Sequence, residues 1–397
     1  MLFDPWDPEF VAHPYRVYDE LRRQAPVSYF EPTGQWLVSR HADVNSLLRD
    51  RRLGRSYLHV ATHEEFGRPP EPEFQEPFWR VIRAGMLDVE PPVHTRLRRL
   101  VSKAFTPRMV ESLRPRVRAV AGDLVEAFVE KGGGDLIAEV AEPLPVTVIA
   151  EMLGIPGQDR HLLRPWSADI CGMYELNPTP TAQHTAVRAA SEFAGYLRSL
   201  AHDRRRNPGD DLISALAGIT ELTDDELVGT CVLLLNAGHE ATVNVTGNGW
   251  WALFRNPDEL ARLRADRSLL PTAVEELMRW DTPLQMFERW VLEDIEVHGV
   301  EIPRGSEVAL LFGSANRDPA VFEDPDRLDV GRADNPHISF GAGIHFCLGA
   351  PLARIELIES FGALLDRAAV LELRQRPDWK PGYVIRGLRS LDVTATP

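Results

Sequence analysis

Cysteine is scarce in this chain. Cys171, Cys231 and Cys347 are the only three in 397 residues, and they stand far apart. That spacing excludes a disulfide framework and a CxxC metal knot. No window approaches the roughly 18 consecutive apolar residues that a membrane helix needs. The opening stretch, MLFDPWDPEFVAHPYRVYDELRRQ, carries acids early and lacks a basic segment followed by an apolar core. No signal peptide and no membrane anchor are therefore expected, and the cytoplasm is the expected location. Lysine stands only at Lys103, Lys131 and Lys380. Positive charge is short overall: the net charge of −15 argues against nucleic acid as a partner. No internal repeat or low-complexity tract is visible. At 44% hydrophobic and 26% charged, the composition is that of an ordinary soluble globular protein.

One stretch runs against the anionic total. Between His94 and Arg118 lie Arg96, Arg98, Arg99, Lys103, Arg108, Arg114, Arg116 and Arg118 against the single acid Glu111, a local balance of +7. Charge alone reads equally as a solvated helical face or as a docking patch for an acidic partner.

Helical periodicity dominates the chain. It predicts helices near 15–24, 42–50, 94–105, 108–131, 141–153, 184–206, 224–255, 257–265, 271–280 and 350–367. Strand-like runs cluster near 27–39 and 286–310, with a last hairpin-like piece near 382–395. No stretch has the character of an interdomain linker, so residues 1–397 read as one mainly α domain with small, segregated sheets. The longest helix opens on Thr223 with Glu226 three residues on, a capping box, and must stop before Pro257. It is apolar nearly all round, so it should be buried. Glu240 in its middle is costly there unless it has a partner or a task.

Residues 340–349 read FGAGIHFCLG. A thiolate needs donors and positive potential, and a turn leading into a helix N-terminus supplies both. CLGAPLARIELIES fits such a helix, with Pro351 tolerated in its first turn. Gly341, Gly343 and Gly349 remove side chains where backbone must pass close to something flat and large. The pattern F-G-x-G-x-H-x-C-x-G, carried by Phe340, Gly341, Gly343, His345, Cys347 and Gly349, resembles the haem-ligand loop of the cytochrome P-450 family. Further motifs follow the family's order and span nearly the whole chain: His94 and Arg98 in HTRLR, Glu276 and Arg279 in VEELMRW, Arg289 in ERWVLED, and FEDPDRLDVGR before the loop. The E-x-x-R spacing alone is only a common i,i+3 pair. Length and motif spellings are similar to soluble bacterial members.

The resemblance implies a P-450 fold with haem b (iron protoporphyrin IX) between the long central helix and the cysteine loop. It implies Cys347 as axial thiolate, feeding the electron density that favours O–O cleavage. His94, Arg98, Arg289 and His345 become candidate partners of the anionic propionates. Ala237 joins the haem-contacting residues, and Phe340 would limit water beside the sulfur. Glu276 and Arg279 would form a buried structural network. The implied activity is a monooxygenase that takes O2 and two electrons, delivered through a ferredoxin and its reductase. The basic stretch then gains a purpose, since the Arg98 helix lies on the electron-donor side in relatives.

One departure stands out. Relatives usually carry A-G-x-[D/E]-T-[T/S] in the long helix, where the acid and the following alcohol help deliver protons during oxygen activation. Here the run is Ala237, Gly238, His239, Glu240, Ala241, Thr242. The acid is present and the alcohol after it is not; Thr242 is rotated about 100° further round. Three readings stay open. Ordered water or a substrate hydroxyl replaces the missing group. Thr242 reaches the site through a local bulge near Gly238. Or protonation is poor, and the enzyme is peroxide-driven or does something other than hydroxylation. A non-enzymatic haem sensor is a further alternative. Glu240 argues against peroxide use, because relatives that use it often place a basic residue near that position. By resemblance, substrate faces 57–90, 165–190, 233–242, 282–288 and 383–386, with Leu233, Ala237, Leu284, Met286 and Ile385 as candidate lining. That mainly apolar lining suits a bulky apolar or oxygenated molecule, such as a macrolide or other polyketide.

Overall fold

The computed structural model describes residues 3–397. Its contacts group into two compact units. The first takes the stretch ending at Leu53, Arg114–Leu144 and Ala241–Pro397; the second takes Gly54–Leu113 and Pro145–Glu240.

The first unit holds most of the strands. A hairpin of Val27–Phe30 and Gln35–Val38 pairs through its second strand, in parallel, with Glu307–Leu310, which pairs antiparallel with Phe287–Val291. The short strand Leu53–Gly54 closes that sheet's far edge. The inward residues Val27, Val38, Val291, Val308 and Leu310 are buried with Leu47, Phe312, Ile338 and Ala342. Each such side chain contributes roughly 1.5–3 kcal/mol through burial. Ile338 and Ala342 belong to the stretch leading into Cys347, so the sheet's core anchors that loop.

The expected terminal hairpin at 382–395 does not form. Leu284 and Ile385 meet in an isolated bridge, as do Trp379 and Leu388. The last strand, Asp392–Thr396, pairs instead with Val370–Leu373 and Gly133–Asp135. Both partners are remote in sequence, and local alternation carries no sign of them.

The second unit is helical. Pro180–Arg206 begins four residues before the periodicity predicts, because Thr179 caps it and Pro180 fits its first turn. Ala186, Ala189, Ala190, Phe193, Leu197 and Leu200 form its buried stripe. Trp166, on the unpredicted helix Leu163–Cys171, stacks on Phe193 with centroids 5.1 Å apart. Glu76–Arg83 is also helical, a helix that the periodicity does not predict.

The long helix Asp224–Arg255 starts in the second unit and ends in the first. Its 32 residues span about 48 Å at 1.5 Å each. The capping box is made on both sides: Glu226 N–H donates to Thr223 Oγ1 (3.2 Å) and Thr223 N–H to Glu226 Oε2 (2.9 Å). Among the described residues no helix is long and apolar enough to cross a membrane.

Candidate active site

Cys347 sits on a tight turn. Its N–H donates to the Phe340 carbonyl (3.0 Å), and Gly341 N–H donates to Ile338 (2.8 Å). Gly341 and Gly343 hold φ of +68° and +71°, where L side chains are strained. A Cβ at Gly343 would also collide with the Leu48 carbonyl, whereas one at Gly341 would meet nothing within 4 Å. The helix Ala350–Arg367 begins three residues after the sulfur, with Pro351 in its first turn. Cys347 is half-buried, whereas Cys171 and Cys231 are buried. Burial pushes the Cys231 thiol up to about 12, so it keeps its proton. Ile344 and Phe346, large apolar side chains beside Cys347, are exposed.

Behind the turn stands a charged group that the sequence reading does not find. Arg354 donates through Nε to Glu275 Oε1 (2.6 Å) and through Nη2 to Oε2 (2.8 Å). His337 Nε2 lies 3.1 Å from the same Oε2. Burial alone would raise the Glu275 carboxyl, but these hydrogen bonds hold it down at about 2. The neighbouring Glu276 has a separate task. It takes the fork of Arg279 at 2.7 and 2.8 Å, with both side chains fully buried.

The middle of the long helix has an accessible stripe. Residues 227–232 and 242–250 are almost wholly buried, but Leu233, Leu234, Gly238 and Ala241 are partly accessible and Ala237 is exposed. Glu240 is mostly buried, with Oε1 4.0 Å from His239 Nδ1. His239 Nδ1 also lies 3.4 Å from Ser167 Oγ. The helix is α throughout, with no bulge at Gly238. Thr242 is buried, with its side chain near Glu356. Burial raises the Glu356 carboxyl to about 8, against a smaller opposing pull from Thr242. Glu356 escapes the sequence reading; an acid on the inner face of the helix after Cys347 was the one signal available.

The remaining motif residues are placed as follows. Arg289 is buried, donates to the Glu288 carbonyl (2.9 Å) and lies over the Phe287 ring at 4.6 Å. His94 is buried in the first turn of Val93–Ala104, with Arg98 half-buried one turn on. His345, Gly349 and Phe340 are half-buried around Cys347, and Arg354 lies over the Phe340 ring at 4.6 Å. Leu284 and Ile385 are brought together by their bridge.

The +7 stretch is less of a patch than it reads. Arg96 pairs with Glu226, and Arg114 and Arg118 both bond Glu359. Arg99, Lys103 and Arg108 stay exposed.

These features fit a large, flat, mainly apolar group with an anionic edge. The cysteine is accessible, glycine leaves its turn uncovered, and arginines and histidines occur at the motif positions. The cytochrome P450 family model matches residues 166–382. The chain is 38% identical to the polyketide biosynthesis cytochrome P450 PksS of Bacillus subtilis, over 99% of this chain and 98% of that protein. It is 39% identical to the cytochrome P450 monooxygenase PikC of Streptomyces venezuelae, over 97% and 92%. The crystal structure of P450BioI with an acyl-ligated acyl carrier protein superposes with a TM-score of 0.92 at 36% identity, covering 98% of this chain and 99% of that one. The chain therefore belongs to the cytochrome P450 family and is a monooxygenase that binds haem b through a cysteine thiolate and oxidises a small organic molecule with O2 and electrons from redox partners.

Proposed function

We propose that this monooxygenase hydroxylates or epoxidises a bulky, oxygenated secondary metabolite of the macrolide or polyketide class, and that a hydroxyl on the substrate completes proton delivery. The observation behind this reading is the run Glu240–Ala241–Thr242. The position after the acid has no hydroxyl, the helix has no bulge to bring Thr242 round, and Thr242 itself is buried. An acid without its neighbouring alcohol needs another donor close by, and a substrate hydroxyl or a water it orders supplies one. The names of PksS and PikC's kin, including a 6-deoxyerythronolide B hydroxylase 39% identical to this chain, support the substrate class.

Cys347 is the proposed thiolate ligand, with His94, Arg98, Arg289 and His345 as the proposed propionate partners and Ala237 against the ring. Residues 1–397 act as one P450 domain, in keeping with relatives that align along nearly its whole length. Haem bound this way supplies oxygen activation. The chain's own residues exclude water at Phe340, pass protons through Glu240 and orient substrate along the Leu233–Ala241 stripe.

The test is a titration of the ferric protein with paired hydroxylated and deoxy macrolides, steroids, fatty acids and terpenes, read by the spin shift of the haem. Hydroxylated macrolides are expected to bind and turn over with good coupling, while deoxy analogues bind but waste electrons. Simple hydrocarbons or fatty acids that bind best and couple well would overturn substrate assistance.

The electron donor is proposed to be an acidic ferredoxin, steered by Arg99, Lys103 and Arg108. Reversing these three charges should raise the KM for ferredoxin about tenfold at low salt, with a smaller effect at high salt. Unchanged turnover with ferredoxin would remove the patch from the docking surface.

A further inference from the structure

We propose that Arg354, clamped by Glu275, is a positioning residue that sets the electron density at the Cys347 sulfur and thereby the redox poise of the haem. This rests on the reading of Cys347 as the axial ligand.

Arg354 lies seven residues after Cys347, early in the helix Ala350–Arg367. Its guanidinium is fixed on two sides. Glu275 takes it as a bidentate fork at 2.6 and 2.8 Å, a geometry that fixes direction as well as distance. The Phe340 ring lies beneath it at 4.6 Å, and the Phe340 carbonyl accepts the Cys347 N–H at 3.0 Å. The cation is thus tied through Phe340 to the turn that carries the sulfur. The charged guanidinium of Arg354 is favoured chiefly by its bonds to Glu275 and in smaller part by the Cys347 sulfur. Glu275 belongs to the helix Leu270–Trp280, whose next residue, Glu276, binds Arg279 and Arg332 together with Asn335 and the Asp329 N–H. Two adjacent acids on one helix therefore serve different cations, one in the buried network and one on the Phe340 ring of the Cys347 turn. His337 steadies the outer oxygen of Glu275 at 3.1 Å.

The physical consequence has a sign. A fixed cation near the thiolate draws electron density from the metal and favours the reduced state. The carboxylate that holds it partly cancels the same field. Removing the cation and neutralising the anion should therefore move the potential in opposite directions. Two side chains that merely support the fold would not do this.

The experiment compares the holoenzyme with Arg354→Gln, Arg354→Lys, Glu275→Gln and the Arg354→Gln/Glu275→Gln double variant. The readouts are the haem midpoint potential by spectroelectrochemistry, the thiolate-type carbon monoxide band and thermal unfolding. Arg354→Gln is expected to shift the ferric–ferrous equilibrium roughly tenfold toward ferric, a fall of about 59 mV for one electron. Glu275→Gln is expected to raise the potential. Arg354→Lys should stay within about twofold of wild type, and the double variant should return toward it. If the two single Gln variants fold but shift together, or not at all, the proposal fails. If Arg354→Gln does not fold, the upward shift in Glu275→Gln and the retained value in Arg354→Lys carry the test. A Cys347→Ser protein that keeps the thiolate band would instead overturn the ligand assignment beneath it.

Discussion

Cys347→Ser is expected to abolish the thiolate-type carbon monoxide band and to lower monooxygenase turnover by at least about a hundredfold, an activation cost of about 3 kcal/mol or more. Cys171→Ala and Cys231→Ala should keep both properties. The contrast is physical. A ligating sulfur must shed its proton and be reachable. Cys347 is half-buried, ahead of a helix N-terminus and within the field of Arg354. Burial holds the Cys231 thiol protonated, with a pKa of about 12. Cys171 is buried at the end of its helix. A hydroxyl at 347 lacks both the acidity and the polarisability of a thiol, so the band should vanish even if haem remains. Haem content, the band and turnover of the three variants check this. A Cys347→Ser protein with wild-type spectra would reassign the ligand.

The sequence makes legible what depends on local rules. The capping box at Thr223 and the stop at Pro257 bound the long helix where the structure has it. Residues 340–349 read as a glycine-lined turn ahead of a helix, and the structure has that turn, with Gly341 and Gly343 at positive φ. What stays hidden depends on partners remote in the chain. Nothing near Asp392 says that its strand pairs with Gly133–Asp135. Nothing near Arg96, Arg114 or Arg118 says that Glu226 and Glu359 neutralise them. Nothing near Thr242 says that Glu356, more than a hundred residues away, lies close to it. Glu275 is overshadowed by Glu276, because the E-x-x-R motif draws attention to the second acid of the pair.

That second acid carries the largest stability effect. Glu276→Ala is expected to destabilise the protein by about 3–5 kcal/mol, the usual loss when one partner of a buried ion pair is removed. Glu276 and Arg279 are both fully buried. The carboxylate takes two bonds from Arg279, one from Arg332 (3.1 Å), one from the Asp329 N–H (2.9 Å) and one from Asn335 (3.2 Å). Arg279 in turn donates to the Asn316 and Pro325 carbonyls at 2.9 and 2.8 Å. Without Glu276, Arg279 keeps its charge in a site that no water reaches. The desolvation of that charge is then uncompensated, and it exceeds the worth of the lost hydrogen bonds. Asp329 and Asn335 lie on the irregular stretch that leads into the Cys347 turn, so loosening them should also weaken haem retention. Glu276→Gln keeps the shape but not the charge, and should lose less. Glu276→Gln combined with Arg279→Met removes the stranded cation and should recover part of the loss. Urea unfolding of the apo and holo forms, with haem content after gel filtration, reads both effects. A Glu276→Ala protein that loses under about 1 kcal/mol would mean that solvent or a neighbouring acid reaches Arg279, and that the network behind the loop is a convenience of packing rather than its support.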